Sequence, residues 1–277
     1  MRNEGHAKLT RRALLAAGAA LALPARANSF DPGHTAWTAL LNKHVVLIDG
    51  GNALQVRYGG MAADRPALKA YLGALSSLGA PAFEALAKAD RMAFLLNAYN
   101  AFTVELILTR YPDLASIKDL GSFLQGPWKR KFVPLLGTTF SLDAIEHDML
   151  RARGRYDDPR LHFAVNCASV GCPMLREEAY VADRLDVQLD EQAQRFMSDR
   201  TRNRWNPAGE RLEVSRIFDW YGEDFRLGHL GITSATAFYA RHADQLADTP
   251  ADRARIHSER TGVAYLEYDW KLNDKAR

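Results

Sequence analysis

The sequence predicts an α+β domain in which several helices pack on a small mixed or antiparallel sheet. Three observations lead there. Capped, helix-length segments follow short β-like runs without regular alternation, which argues against a doubly wound sheet. The 277-residue chain shows no internal repeat, low-complexity tract or Pro/Ser linker, so residues 28–277 read as a single globular domain. A chain of that size buries ~75% of its unfolded surface and has core enough without a covalent staple.

The elements follow in order. Residues 34–45 read as a helix. Leu54–Tyr58 alternates apolar and polar, as a half-buried strand does. Asp64 is placed as the cap of a helix reaching about Leu78, with Pro66 in its first turn. Helices are expected over about 81–88 and 90–110, with Pro112 blocking continuation of the second. Phe132–Leu135 and Thr138–Phe140 flank Gly137 as a hairpin. Ser141 caps a helix over 142–152, and Gly154 suits its stop. Leu161–Asn166 reads as a short buried strand. A helix near 185–199, a strand at Leu212–Val214, helices near 216–225 and 233–246 and a strand at Val263–Tyr268 complete the chain.

Residues 1–27 read as a twin-arginine signal peptide. Arg11-Arg12 precedes an Ala/Leu-rich run from Ala13 to Leu23, and Ala25-Arg26-Ala27 offers a cleavage site. The run is shorter than the roughly 20 apolar residues of a membrane span. Nothing after residue 30 is apolar for long enough to span either, so no membrane span is expected once the signal is removed. The expected location is therefore periplasmic or extracellular. The segment carries Arg2, Lys8, Arg11, Arg12 and Arg26 against Glu4, so the +3 of the whole chain becomes about −1 without it. A near-neutral domain offers no basic footprint for nucleic acid. Lys129-Arg130-Lys131 and Arg200/Arg202/Arg204 read as solvated faces.

The chemistry-bearing residues lie in three stretches. In His162-Phe163-Ala164-Val165-Asn166-Cys167-Ala168-Ser169-Val170-Gly171-Cys172-Pro173, a histidine on the expected strand precedes a Gly/Pro loop holding both cysteines. Strand parity would put His162 and Asn166 on one face. On the Ser141 helix, His147 lies four residues from both Asp143 and Arg151, while Glu146 and His147 diverge. On the helix around Phe94–Asn100, Asn97, Asn100 and Glu105 share a face. The two amides either satisfy backbone groups or line a site.

These stretches resemble the family known only as domain of unknown function 547. The resemblance rests on Phe94–Ala101 (FLLNAYNA), Ser141–Arg151 (SLDAIEHDMLR), Arg160–Leu175 (RLHFAVNCASVGCPML), Arg216–Phe225 (RIFDWYGEDF) and Tyr268–Asn273 (YDWKLN). It implies that His147, His162, Cys167 and Cys172 are family-pattern positions, and it implies no reaction. Leu95 stands where the family's tryptophan is usual.

Several readings of the cysteines stay open. In an exported protein Cys167 and Cys172 are disulfide candidates. A thiol beside a histidine can instead be a nucleophile. Cys167 would then attack, with His162 as its base and His147 orienting the base or polarising substrate. Asn97 or Asn100 would bond an oxyanion, and Asn166, Asp143 or Asp219 would orient an imidazole. Pro173 restrains Cys172 and disfavours it as nucleophile. A Cys₂His₂ zinc set is a minority alternative, so no cofactor is assigned. Two functions survive: a thiol-dependent enzyme of acyl transfer or amide hydrolysis on a small-molecule or cell-envelope substrate, and a non-catalytic exported binding domain with a structural disulfide loop.

Overall fold

A computed structural model describes residue 1 and residues 30–122 and 125–275. The signal-peptide reading falls on residues outside these. The chain is α+β, as the pattern of elements predicts. Helices α1 (Thr35–His44), α2 (Tyr58–Ala63), α3 (Arg65–Ser77) and α4 (Ala80–Glu84) surround the longest helix, α5 (Lys88–Leu108). Every residue of α5 from Met92 to Leu108 is buried. A helix apolar on all sides belongs in a core, and α5 is the axis of this one. Its buried Glu105 is met by Arg65 at 2.7 Å and Lys69 at 3.1 Å. Among the described residues no helix is long and apolar enough to cross a membrane.

Three small sheets decorate the helices. β1 (Val45–Ile48) and β2 (Ala53–Val56) pair antiparallel, as do β3 (Val133–Leu135) and β4 (Thr138–Phe140). The β3–β4 turn places both Leu136 (φ +53°) and Gly137 (φ +82°) in the left-handed region. Two left-handed residues make the tight turn whose twist matches a hairpin. The third sheet runs β5–β6–β7. β5 (Arg204–Asn206) is antiparallel to β6 (Arg211–Val214), and β6 is parallel to β7 (Gly262–Tyr265).

Between the hairpins and the third sheet lie α6 (Leu142–Ala144), α7 (Leu161–Ala164) and α8 (Leu185–Ser198). After β6 come α9 (Ile217–Trp220), α10 (Ala235–Arg241), α11 (Ala243–Leu246) and α12 (Pro250–His257). Two apolar clusters result. The larger surrounds α5. The smaller gathers Phe163, Phe196, Phe218, Phe225 and Phe238. They meet at α7, where Leu161 and Ala164 join the first cluster and Phe163 the second.

Several expectations are corrected. Leu161–Asn166 is not a strand: four residues form a single helical turn and the chain extends only from Val165. Buried apolar runs of this length do not distinguish strand from helix, and the parity placing His162 with Asn166 lapses. Asp64 precedes α3 but makes no side-chain cap. Its carboxylate turns instead to His44 at 2.7 Å and Lys43 at 2.6 Å. Tyr58 opens α2 rather than ending β2. β1, β5 and α12 went unpredicted, although Thr249 caps α12 and Pro250 starts it, a recognisable signal.

Burial also leaves a pH signature. It pushes His34 and His242 down to about 4 and lowers His162 as well. A buried histidine with a depressed pKa stabilises the fold only while neutral. That stability is present above the ordinary histidine value of 6.5 and is lost as pH falls toward the folded-state value. Thermal denaturation should therefore show falling stability from pH 6.5 to pH 4, on the order of a few kcal/mol for each of His34 and His242. His242→Gln should flatten this slope, and an unchanged slope would remove His242 from the account.

Candidate functional site

The site begins with a change of helical pitch. Ser141 caps α6 by accepting from the Ala144 N–H at 3.0 Å. From Ile145 to Leu150 the helix widens to a π-turn, and the Arg151 N–H reaches the Glu146 carbonyl five residues back at 2.9 Å. Such turns often mark functional positions. The sequence reading, built on α-helical spacing, sent Glu146 and His147 apart. In the widened turn both line a cavity of about 330 Å³.

The same cavity is lined by His162, Cys167 and Cys172, so the four polar residues singled out in the sequence converge on one space. Its walls are aromatic, with Tyr99, Trp128, Trp220, Tyr221, Tyr268 and Trp270.

His162 is held by a carboxylate the sequence reading missed. Its Nε2 lies 2.7 Å from Asp224 Oδ2. A carboxylate only accepts, so the ring proton sits on Nε2. Burial holds His162 below the ordinary histidine range, against the pull of Asp224. The imidazole is thus neutral, and its Nδ1 lone pair is buried with no hydrogen-bond partner. Tyr221 stacks on the ring at 4.0 Å. Asp224 also accepts from Arg151 at 2.6 and 3.2 Å. Burial opposes its charge, but hydrogen bonds from His162 and Arg151 hold its carboxyl well below the usual range. Arg151 lies over the Tyr221 ring at 4.7 Å and hydrogen-bonds His147 Nδ1. Because arginine only donates, His147 accepts there and carries its proton on Nε2, 3.6 Å from Asp143. Of the expected orienting groups, Asp219 instead pairs with Arg216 at 3.1 Å, and Asn166 turns to backbone, donating to Pro173 O at 2.7 Å. Asp224 lay within the RIFDWYGEDF motif, but nothing in the local spacing separated it from Asp219.

The cysteine loop departs from the disulfide expectation, since Cys167 and Cys172 are both free thiols. The Cys167 N–H donates to Cys172 Sγ at 2.8 Å. Cys167 Sγ lies 3.0 Å from Ser169 Oγ and 3.2 Å from the Tyr268 hydroxyl. Burial works against a thiolate here, but hydrogen bonds from Cys172, Ser169 and Tyr268 outweigh it and hold the Cys167 thiol below the ordinary value. Burial and the neighbouring Cys167 push Cys172 the other way. Cys167 hydrogen-bonds no histidine among the described residues. No group of three or more His, Cys, Asp or Glu among them is placed to hold a metal ion.

The C-terminal segment fixes this loop. The Val170 and Gly171 N–H groups donate to Lys271 and Asp269 carbonyls, and Asn273 N–H donates to Ala168. A Cβ on Gly171 would stand 3.0–3.1 Å from Asp269 backbone and 3.1 Å from the Tyr268 ring. Glycine lets the strap close, without pushing that backbone back, and bring the Tyr268 hydroxyl to Cys167.

Asn97 and Asn100 do not line the cavity, which corrects the oxyanion expectation. Asn97 spans Tyr180, donating to its carbonyl at 2.8 Å and accepting from its N–H at 3.0 Å. Asn100 donates to Ala164 O at 2.9 Å and accepts from Asn166 N–H at 2.8 Å. It thereby clamps the chain between His162 and Cys167.

Residues 83–197 match the model of a family described as protein of unknown function, DUF547. The resemblance drawn from the motifs is borne out over that segment. The DUF547 match holds His147, His162 and both cysteines, and leaves Asp224 and Tyr268 beyond its end. No curated protein and no solved structure matches the chain.

The clamp generates a test. Asn100→Ala orphans a buried donor and a buried acceptor at about 1–3 kcal/mol each. Denaturant unfolding should therefore show a loss of roughly 2–6 kcal/mol. A group serving only an oxyanion would leave stability unchanged.

Proposed function

We propose that this is a thiol-dependent enzyme of acyl transfer or amide hydrolysis, with Cys167 as nucleophile, His162 as base and Asp224 as the group that orients the base. One observation carries the reading. A thiol held below its ordinary pKa and a neutral imidazole with an uncommitted Nδ1, anchored by a carboxylate, line the same cavity.

In this reading His162 takes the Cys167 proton on Nδ1, and Asp224 stabilises the imidazolium through the Nε2–H bond. The thiolate attacks the acyl carbon, and the leaving amine receives the proton from His162. Water or a second nucleophile then releases the thioester, again with His162 as base. The Ser169 and Tyr268 hydroxyls donate to the thiolate. His147, held between Asp143 and Arg151, faces the substrate and can polarise it. Cys172 supports the loop and remains a thiol. The substrate would be a small molecule or a cell-envelope component, met in the periplasm or outside the cell.

Alkylation by iodoacetamide tests the chemistry. Cys167 should react without prior reduction, at a rate that rises through a pH below that of a free cysteine and then levels off, because the thiolate is the reactive form. Peptide mass spectrometry should find Cys172 unlabelled. Asp224→Asn should slow the reaction by about tenfold or more. Labelling only after reductant would favour the other class, a binding domain whose loop is closed by a disulfide.

Export is proposed on the N-terminal residues alone. With Arg11→Lys/Arg12→Lys, cell fractionation should find full-length protein retained in the cytoplasm. Normal delivery of processed protein would overturn the twin-arginine route.

A further inference from the structure

The cavity has an unusual balance of charge. Two carboxylates, Asp143 and Glu146, line it, and neither lysine nor arginine does. Glu146 is 7% exposed. Among the described residues its carboxylate forms no ion pair with Lys, Arg or His, in contrast to the buried Glu105 with its two cations. Its near neighbour is the Tyr221 phenol, which burial and the facing Glu146 charge push well up. The Glu146 charge is felt by Arg151, but no cation among the described residues is in ion-pair contact, and a buried carboxylate so placed carries a desolvation cost that a cationic ligand would relieve. The neighbouring His147 is already engaged on both ring nitrogens, by Arg151 and by Asp143.

The opposite requirement is met by the rings. Trp220, 43% exposed, lies 5.0 Å from Tyr268 and 5.9 Å from Trp270, and Trp128 lies 5.8 Å from Trp270. Contiguous aromatic faces attract cations through their quadrupoles. This surface already does so once, with Lys118 3.7 Å from the Trp270 ring centre.

We infer that the site takes substrates carrying a positively charged amine or quaternary ammonium group, seated between the Glu146 and Asp143 carboxylates and the Trp220–Tyr268 face, with the reacting carbon toward Cys167. The placement of the reacting carbon rests on the thiol-enzyme reading; the cation seat does not. A carboxylate and an aromatic face together distinguish such a group from a neutral or anionic one of equal size.

Methanethiosulfonates bearing an ethyltrimethylammonium, a methyl or an ethylsulfonate group provide the test. The Cys167 thiolate attacks the sulfenyl sulfur of each, a mixed disulfide forms and methanesulfinate leaves. The ratio of cationic to methyl reagent rate, divided by the same ratio for free N-acetylcysteine, should exceed one by about tenfold. The sulfonate reagent should fall below one on the same scale. Glu146→Gln should bring the cationic ratio back toward one, and Asp143→Asn should lower it in part. A cationic ratio at or below one in the wild-type protein overturns the inference.

A second measurement separates this from failure of the thiol chemistry. In Cys167→Ser protein, tetramethylammonium should quench tryptophan fluorescence saturably, with about tenfold weaker binding in the Cys167→Ser/Glu146→Gln protein. If all three reagents react slowly yet tetramethylammonium binds in this way, the thiol-enzyme reading falls and the cation seat stands. No saturable quenching, or equal quenching with and without Glu146, removes the cation seat.

Discussion

The carboxylate of Asp224 joins three separate pieces of chain. It receives His162 from α7 and Arg151 from the end of the π-turn, and it lies on the helical turn that follows α9. Its negative charge is maintained by these two donors even as burial opposes it. Through Arg151 the same anchor reaches His147, and through His162 it sets which imidazole nitrogen carries the proton. Removing it would leave a half-buried arginine and a buried histidine without their shared partner, and partner loss of this kind is more costly than the pair is stabilising.

The two cysteines show how a short loop can give one element two opposite environments. Cys167 faces hydroxyl donors, and Cys172 receives a backbone N–H while burial and its neighbour Cys167 push its own thiol up. The difference originates in backbone geometry. Ala168 adopts a left-handed conformation at φ +63°, and Gly171 admits the strap that brings Tyr268 close. A left-handed alanine is uncommon, and it is held here by hydrogen bonds on both sides: its N–H donates to Asn166 Oδ1, and its carbonyl accepts from the Asn273 N–H.

Much of this was legible in the sequence, and the limits are physical. Ser141 as a cap, the hairpin around Gly137 and the long apolar α5 follow from capping, turn chemistry and apolar runs, whereas a shared place for His147, His162 and both cysteines was one of several open readings until the cavity brought them together. The His162 element was misread because a buried apolar tetrapeptide has no diagnostic period. Glu146 was placed on the wrong side because a π-turn leaves no signature in residue spacing. Asp224 was overlooked in favour of Asp219, five residues away, because partners so distant in sequence are chosen by tertiary packing. The amide roles of Asn97 and Asn100 were open between two readings, and only the positions of Tyr180, Ala164 and Asn166 decide between them.

The single helical turn α7 divides its side chains between the two apolar clusters, with Phe163 facing one and Leu161 and Ala164 the other. His162 therefore sits on the seam. A part of a protein opens locally only if few packed contacts hold it, and this turn is held from both sides. The imidazole cannot move away from Asp224 without loosening the grip of one cluster on the other. The rigidity of the site is thus a property of the whole molecule rather than of a loop. Substitutions deep in either cluster, such as among the phenylalanines around Phe163, act on the imidazole as levers act on a fulcrum, from a distance and without touching the cavity.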